Sequence, residues 1–221
     1  MKHSLLRRVA AEFLGTLFLL AVVVGSGIMG DKLSGGNVAI ALLANSLATG
    51  AGLVALLLTF GPISGAHLNP AVTLAEVWLR RLTWLEALAY VAAQVFGAVA
   101  GVVTAHLMFG LRVVTASTHV RSGPAQLFSE FIATFGLFAV IWGCSRHRHA
   151  AVPYAVGAYI TAAYWFTSST SFANPAVTLA RSLTNTFAGI RPMDVVPFVA
   201  AQLVGAAVAT GLFKWLQQEA E

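Results

Sequence analysis

Two asparagines, Asn69 and Asn174, open identical heptapeptides, Asn-Pro-Ala-Val-Thr-Leu-Ala, at residues 69–75 and 174–180 of a 221-residue chain. An Asn side chain can cap a helix through its carbonyl oxygen and still present amide N–H donors. Proline is well suited to the first helical position. Asn69-Pro70-Ala71 and Asn174-Pro175-Ala176 therefore read as two helix starts with spare donors, a chemistry of hydrogen bonding to a neutral solute. Glu12 and Glu130 lie in apolar runs, where a charged carboxylate costs about 2.5–3.5 kcal/mol and must face the protein interior. Such a group can relay protons or ions, or it can brace a loop by accepting backbone N–H groups; the repeat described below favours bracing. Gln94 and Gln202 read as helpers in the same work. Nucleophile–base pairs and metal-ligand clusters are absent from the sequence, and the single Cys144 excludes an internal disulfide. Neither an enzyme nor a bound cofactor or metal is expected.

The elements that position these residues are membrane elements. The chain is 58% hydrophobic and only 10% charged, against about 25% charged in soluble domains. The net charge of +5 sits in loops, so it reads as membrane topology rather than nucleic-acid binding. A span needs about 20 apolar residues, and six segments qualify: roughly 9–29, 38–60, 84–109, 125–143, 150–166 and 193–216. The first, too long for the core of a cleavable leader, is expected to stay as a span. Two further apolar stretches, 69–79 and 174–184, are too short to cross. Each reads as a half-helix starting inside the membrane, where the irregular backbone ahead of it must line a wet cavity or be buried in protein.

The duplication extends past the two tracts. Residues 11–16 match 129–134, Val-Ala-Ala-Gln at 91–94 recurs at 199–202, and Gly97/Gly101 match Gly205/Ala209. Each half holds three spans and one half-helix. The odd number inverts the second half relative to the first and brings the two half-helix starts together at mid-membrane. The chain is thus expected to be one domain, 1–221, with halves at about 1–110 and 125–221. Counting Lys and Arg with both termini in the cytoplasm gives eight inside, beginning with Lys2, Arg7 and Arg8, against five outside. That bias predicts cytoplasmic termini. The small, turn-prone residues at 64–68 and 168–173 suit extended backbone with carbonyls facing a lumen. Arg181 reads as a vestibule or surface residue, and Glu76 with Arg80 as a helical ion pair.

Two Asn-Pro-Ala motifs, the paired Glu12 and Glu130 and six spans resemble the major intrinsic protein family, the aquaporins and glycerol facilitators, over essentially the whole chain. The resemblance implies an all-α, right-handed bundle of six transmembrane helices plus two re-entrant half-helices, assembled as a homotetramer in lipid. It also implies loop carbonyls at Gly65, Ala66, His67, Ser171, Phe172 and Ala173 lining the pore. In most of the family an arginine follows the second motif; here the position is Val177. Counting from the motifs, the other constriction positions are Thr49, Ala162 and Ser171. All four are neither bulky nor charged, which implies a wide filter passing glycerol, water and urea. The tract Asn-Pro-Ala-Val-Thr-Leu-Ala-Arg-Ser-Leu resembles a bacterial aquaglyceroporin subgroup associated with arsenic resistance, which adds metalloid hydroxides such as arsenite and a bacterial inner membrane. A water-selective aquaporin and an ion-coupled secondary transporter remain as alternatives.

Overall fold

A computed structural model describes residues 3–217, the side chain of His147 excepted; Lys2, counted above for orientation, lies outside them. Eight α-helices and no strands occur among the described residues: α1 (Leu5–Leu33), α2 (Val38–Ser64), α3 (Pro70–Trp78), α4 (Trp84–Met108), α5 (Pro124–His147), α6 (Val152–Phe166), α7 (Pro175–Arg181) and α8 (Pro192–Leu216). Five of them (α1, α2, α4, α5 and α8) are long and apolar enough to cross a membrane. The expected fifth span, α6, has only 15 residues, and a 3-10 turn at His149–Ala151 leads into it. Together they reach about 28 Å at 1.5 and 2.0 Å per residue, close to a hydrocarbon core of about 30 Å. The protein is a multi-pass integral membrane protein.

Close approach of backbones sets the bundle. A Cβ on Gly205 would stand 2.5 Å from the Phe131 carbonyl, and one on Gly97 would strike that of Phe13. α4 therefore lies tight on α1, and α8 on α5, as small residues at four-residue spacing permit. α2 crosses α6 where Gly50 faces Gly157; a Cβ on Gly157 would meet the Gly50 carbonyl at 2.6 Å. α3 and α7 touch each other inside the bundle. The connection between α4 and α5 folds back along the segment after α7, through Thr115 N–H to Leu183 O (3.0 Å) and Ser117 N–H to Ser182 O (3.0 Å).

The half-helices are shorter than the apolar stretches that announce them. α3 ends at Trp78 because Arg80 adopts a left-handed φ of 59°. That turn corrects the expected Glu76–Arg80 pair: Arg80 has left the helix, and Glu76 pairs instead with Arg81 at 3.4 Å.

Candidate functional site

Each half-helix is capped by its own asparagine. Asn69 Oδ1 accepts from Ala71 N–H at 2.9 Å; Asn174 Oδ1 accepts from Ala176 N–H at 3.0 Å and Val177 N–H at 3.3 Å. The amide nitrogens then cross the pseudo-two-fold axis. Asn69 Nδ2 donates to Ala173 O at 2.8 Å and Asn174 Nδ2 to Leu68 O at 2.7 Å. Each amide has a second N–H, and both asparagines line a shared cavity.

The loops ahead of the caps are held by the buried carboxylates. Glu12 accepts from His67 N–H (3.0 Å), Leu68 N–H (2.7 Å), Ser64 Oγ (2.6 Å) and Gln94 Nε2 (2.8 Å). Glu130 accepts from Phe172 N–H (2.9 Å), Ala173 N–H (3.0 Å) and Gln202 Nε2 (2.6 Å). The glutamines tie onward to Thr73 and Thr178. With three or four donors apiece, these carboxylates are fully engaged as braces. The conformation they hold is a strained one. Ala66 and Leu68 have φ of 45° and 47°, and their repeat mates Ser171 and Ala173 have 52° and 47°. A left-handed residue that is not glycine costs on the order of 1–3 kcal/mol and persists only where its surroundings over-determine it.

This twist leaves acceptors facing inward. Among the described residues, the carbonyls of Gly65, Ala66, His67, Ser171 and Phe172 accept no protein hydrogen bond. All five residues line the cavity. The Ala173 carbonyl, expected with them, is occupied by Asn69, an engagement that the repeat extends to Leu68. The opposite wall is aliphatic. Val152, Val156, Ile160 and Tyr164 form one stripe of α6 at four-residue spacing; Thr49, Leu53 and Leu57 do the same on α2. The cavity encloses about 130 Å³, well above the roughly 10–15 Å³ that one water requires. At its α3 end it shares His67, Val72 and Ile141 with a second hollow of about 650 Å³. His67 is fixed there, with Nδ1 3.1 Å from Thr73 Oγ1 and its ring edge-on to Tyr90.

Thr49, Ser171 and Val177 line the cavity, all buried. Ala162 does not: it is exposed on the far side of α6. Two residues in a helix are about 200° of rotation, and Tyr164, two residues on, faces the cavity, with its hydroxyl 3.3 Å from Thr49 Oγ1. The stripe 152–156–160–164 was readable as an i, i+4 series; counting back across the irregular 167–173 loop misplaced it.

Arg181 also departs from expectation. It is not on the surface but 2% exposed, lining the cavity one turn beyond Val177. Its Nε donates to Ala188 O, and its guanidinium lies 3.4 Å from the centre of the Phe172 ring. Arg121, from the α4–α5 connection, lies over the same ring at 5.0 Å and donates to Gly189 O and Ser169 O. Burial lowers the pKa of the Arg121 guanidinium. Nothing in the sequence marks Arg121 as part of the site, because a loop residue carries no periodicity.

Fold and site together define an inverted-repeat membrane bundle whose two re-entrant loops and aliphatic stripes enclose one cavity. The family model for the major intrinsic protein matches residues 1–162 and 144–221. The aquaglyceroporin AqpS of Rhizobium meliloti (strain 1021) is 58% identical over 219 residues, 99% of this chain and 94% of that protein. The aquaporin NIP3-1 of Oryza sativa subsp. japonica is 36% identical over 167 residues, 72% of this chain and 52% of its own length. The X-ray structure of the aquaglyceroporin from Plasmodium falciparum superposes with a TM-score of 0.72 at 22% identity, covering 95% of this chain and 96% of that one. The chain belongs to the major intrinsic protein family.

Proposed function

We propose that this protein is a passive channel for small uncharged solutes, glycerol and water first, with urea and metalloid hydroxides such as arsenite as further cargo. One observation carries the reading: a cavity with five unpaired carbonyls on the loop wall and aliphatic stripes on the other. Buried backbone acceptors must find partners, and passing hydroxyls or waters supply them, while the stripes receive the carbon skeleton of a polyol. At mid-channel the remaining N–H of each Asn amide can donate to a solute oxygen. A water held by both as acceptor cannot pass protons along a hydrogen-bonded chain, and the positive first turns of α3 and α7 oppose cations. The name of the Rhizobium relative supports glycerol-sized cargo. The whole chain forms one channel domain with repeat halves at about 1–110 and 125–221. It is a conduit rather than a catalyst, with both termini cytoplasmic, four copies assembled in the bacterial inner membrane, and one pore in each copy.

The test is stopped-flow light scattering on proteoliposomes with water, glycerol, urea and arsenite. Flux that follows the solute gradient and ignores membrane potential and pH gradient is expected; potential-driven accumulation would overturn the reading. Val177→Arg adds a long cation beside the carbonyl wall, and it is expected to reduce glycerol permeation at least tenfold more than water permeation. Equal loss of every solute would show that position 177 does not set selectivity.

A further inference from the structure

The chain covers the end of one half-helix and leaves the end of the other bare. Beyond α7, residues 182–185 lie under the α4–α5 connection. Thr115 N–H donates to Leu183 O and Ser117 N–H to Ser182 O, each at 3.0 Å, and Thr118 N–H and Oγ1 donate to Asn185 Oδ1, also at 3.0 Å. The mates of these residues, 105 positions earlier, are 77–80, at the end of α3. Among the described residues, no other element hydrogen-bonds to them. They border instead an open hollow of about 600 Å³ between the end of α3 and the start of α4, lined by Trp78, Arg80, Arg81, Thr83, Trp84 and Glu86 among others.

This hollow is basic and aromatic. The Arg80 side chain makes no hydrogen bond, ion pair or ring contact among the described residues. Arg81 is 57% exposed and holds Glu76 only at 3.4 Å, with its guanidinium 5.7 Å from the centre of the Trp142 ring. The acid is already engaged: Glu86 pairs with Arg8 and accepts from Thr83 N–H at 3.0 Å and Thr83 Oγ1 at 2.8 Å. One free cation and one loosely held cation thus face the hollow, with no free acid between them. Trp78 and Trp84 are both exposed. The Arg8 pair sets the hollow level with the start of α1, and Trp78 lies against the last turns of α8, where a Cβ on Gly211 would stand 3.6 Å from its ring. Spans begin and finish at this level, and indole rings concentrate at the same depth, among the lipid headgroups.

We propose that this hollow docks the headgroup of an anionic phospholipid, with Arg80 and Arg81 on the phosphate and Trp78 and Trp84 flanking the glycerol backbone and the first acyl carbons. Basic side chains beside a membrane surface favour anionic lipid, and an indole, apolar in body with one polar N–H, suits the boundary between headgroup and chain. The lipid takes the place that the α4–α5 connection occupies in the other half. The inference concerns the outer wall of the bundle and is independent of what the pore carries.

The full chain is reconstituted in phosphatidylcholine vesicles holding a minor fraction of phosphatidylglycerol, with bromine on the acyl chains of one lipid or the other, and tryptophan quenching is measured. Phosphatidylglycerol is expected to quench the wild type several-fold beyond its share of the bilayer. Arg80→Gln should lower that enrichment about fivefold, the effect of one basic contact. Arg7→Gln, at an exposed arginine of α1 outside the hollow, should leave it unchanged. Arg80→Gly removes the same charge and suits the left-handed φ of 59° at this position, which glycine adopts without strain, so it carries the test should the glutamine variant not fold. Soluble glycerol phosphate should not reverse the quenching. A wild type quenched only in proportion to the phosphatidylglycerol present overturns the proposal. An equal loss in Arg7→Gln does so too, by marking a general effect of surface charge, and displacement by glycerol phosphate would assign the hollow to a free phosphate instead. If replacing Trp78 and Trp84 together by Phe leaves the quenched signal of both lipids unchanged, a second copy of the chain covers the hollow and the lipid site falls.

Discussion

In the first half of the chain the residue that begins the braced pair is His67, tied to Thr73 and set against Tyr90. At the matching place in the second half, 105 residues on, Phe172 lies under Arg181 and Arg121 with Phe198 edge-on at 5.4 Å. The mate of Arg181 is Glu76, which pairs with Arg81 at 3.4 Å beside the wider hollow. Even the support of the loop shoulder differs: Tyr90 donates to Ser64 O at 2.9 Å, whereas Arg121 donates to Ser169 O at 3.1 Å. The backbone, the caps, the carboxylates and the glutamines obey the repeat, so the repeat fixes the scaffold. The side chains at the two mouths break it, giving one mouth a neutralised acid and the other unpaired cations. Symmetry builds the conduit, and its failure gives the conduit a polarity.

The most severe way to break this comparison is to remove a brace. Glu12 serves four donors and Glu130 three. Glu12→Leu is expected to cost about 3–5 kcal/mol, because each buried donor left bare costs about 1–3 kcal/mol, and Glu130→Leu somewhat less. Thermal unfolding in detergent, followed by tryptophan fluorescence, checks the order. A smaller loss at Glu12 would show that the two halves do not share one bracing rule. Next in size is the crossing of α2 and α6. Gly157→Ala forces a Cβ against the Gly50 carbonyl and the Val54 side chain and should cost about 1–3 kcal/mol. Gly61→Ala meets nothing within 4 Å, so it should gain about 0.5–1 kcal/mol as an ordinary helical Gly-to-Ala change. Equal effects would show that close packing at the repeat axis is not what holds the halves together.

The scaffold was legible in the sequence for the reason that it obeys the repeat. Duplicated Asn-Pro starts, duplicated Glu and duplicated small-residue spacings each appear twice, and a physical reading of one copy checks the other. The half-helix ends were not legible, because the left-handed turn at Arg80 is imposed by tertiary context and leaves no local mark. Ala162 was misplaced for a related reason. Counting by residues assumes a loop of standard rise, whereas the 167–173 segment contains two consecutive left-handed residues, Thr170 and Ser171. Tyr164, by contrast, was available to periodicity. Arg121 was beyond reach, since its main side-chain partners, Gly189 O and Ser169 O, are backbone carbonyls 68 and 48 residues away. Arg181 was visible as a residue, but its burial under Phe172 depends on that same loop packing.

A gentler change addresses the mouth that obeys charge balance. Glu76→Gln breaks a pair whose arginine is 57% exposed, and partly solvated pairs of this kind are worth about 0–1 kcal/mol. The expected outcome is a shift of unfolding temperature near the limit of detection. A large loss of stability would show that the Glu76–Arg81 pair holds the first half together, and the contrast between the two mouths would fail.

The smallest effect concerns His119, in the α4–α5 connection, whose pKa is lowered by burial and then by Arg121 and Arg181, with Asp31 acting weakly the other way. A histidine whose folded pKa lies below its unfolded value of about 6.5 is bound less tightly by protons in the folded state. Above that unfolded value it is neutral in both states and carries no penalty. As pH falls through 6.5 the unfolded chain takes up the proton first, and stability declines. Unfolding midpoints measured at pH 7.5 and pH 5 should therefore separate more for the wild type than for His119→Asn, the other histidines being common to both proteins. A His119→Asn protein with the same pH slope as its parent would show that neither burial nor the two arginines shifts this histidine.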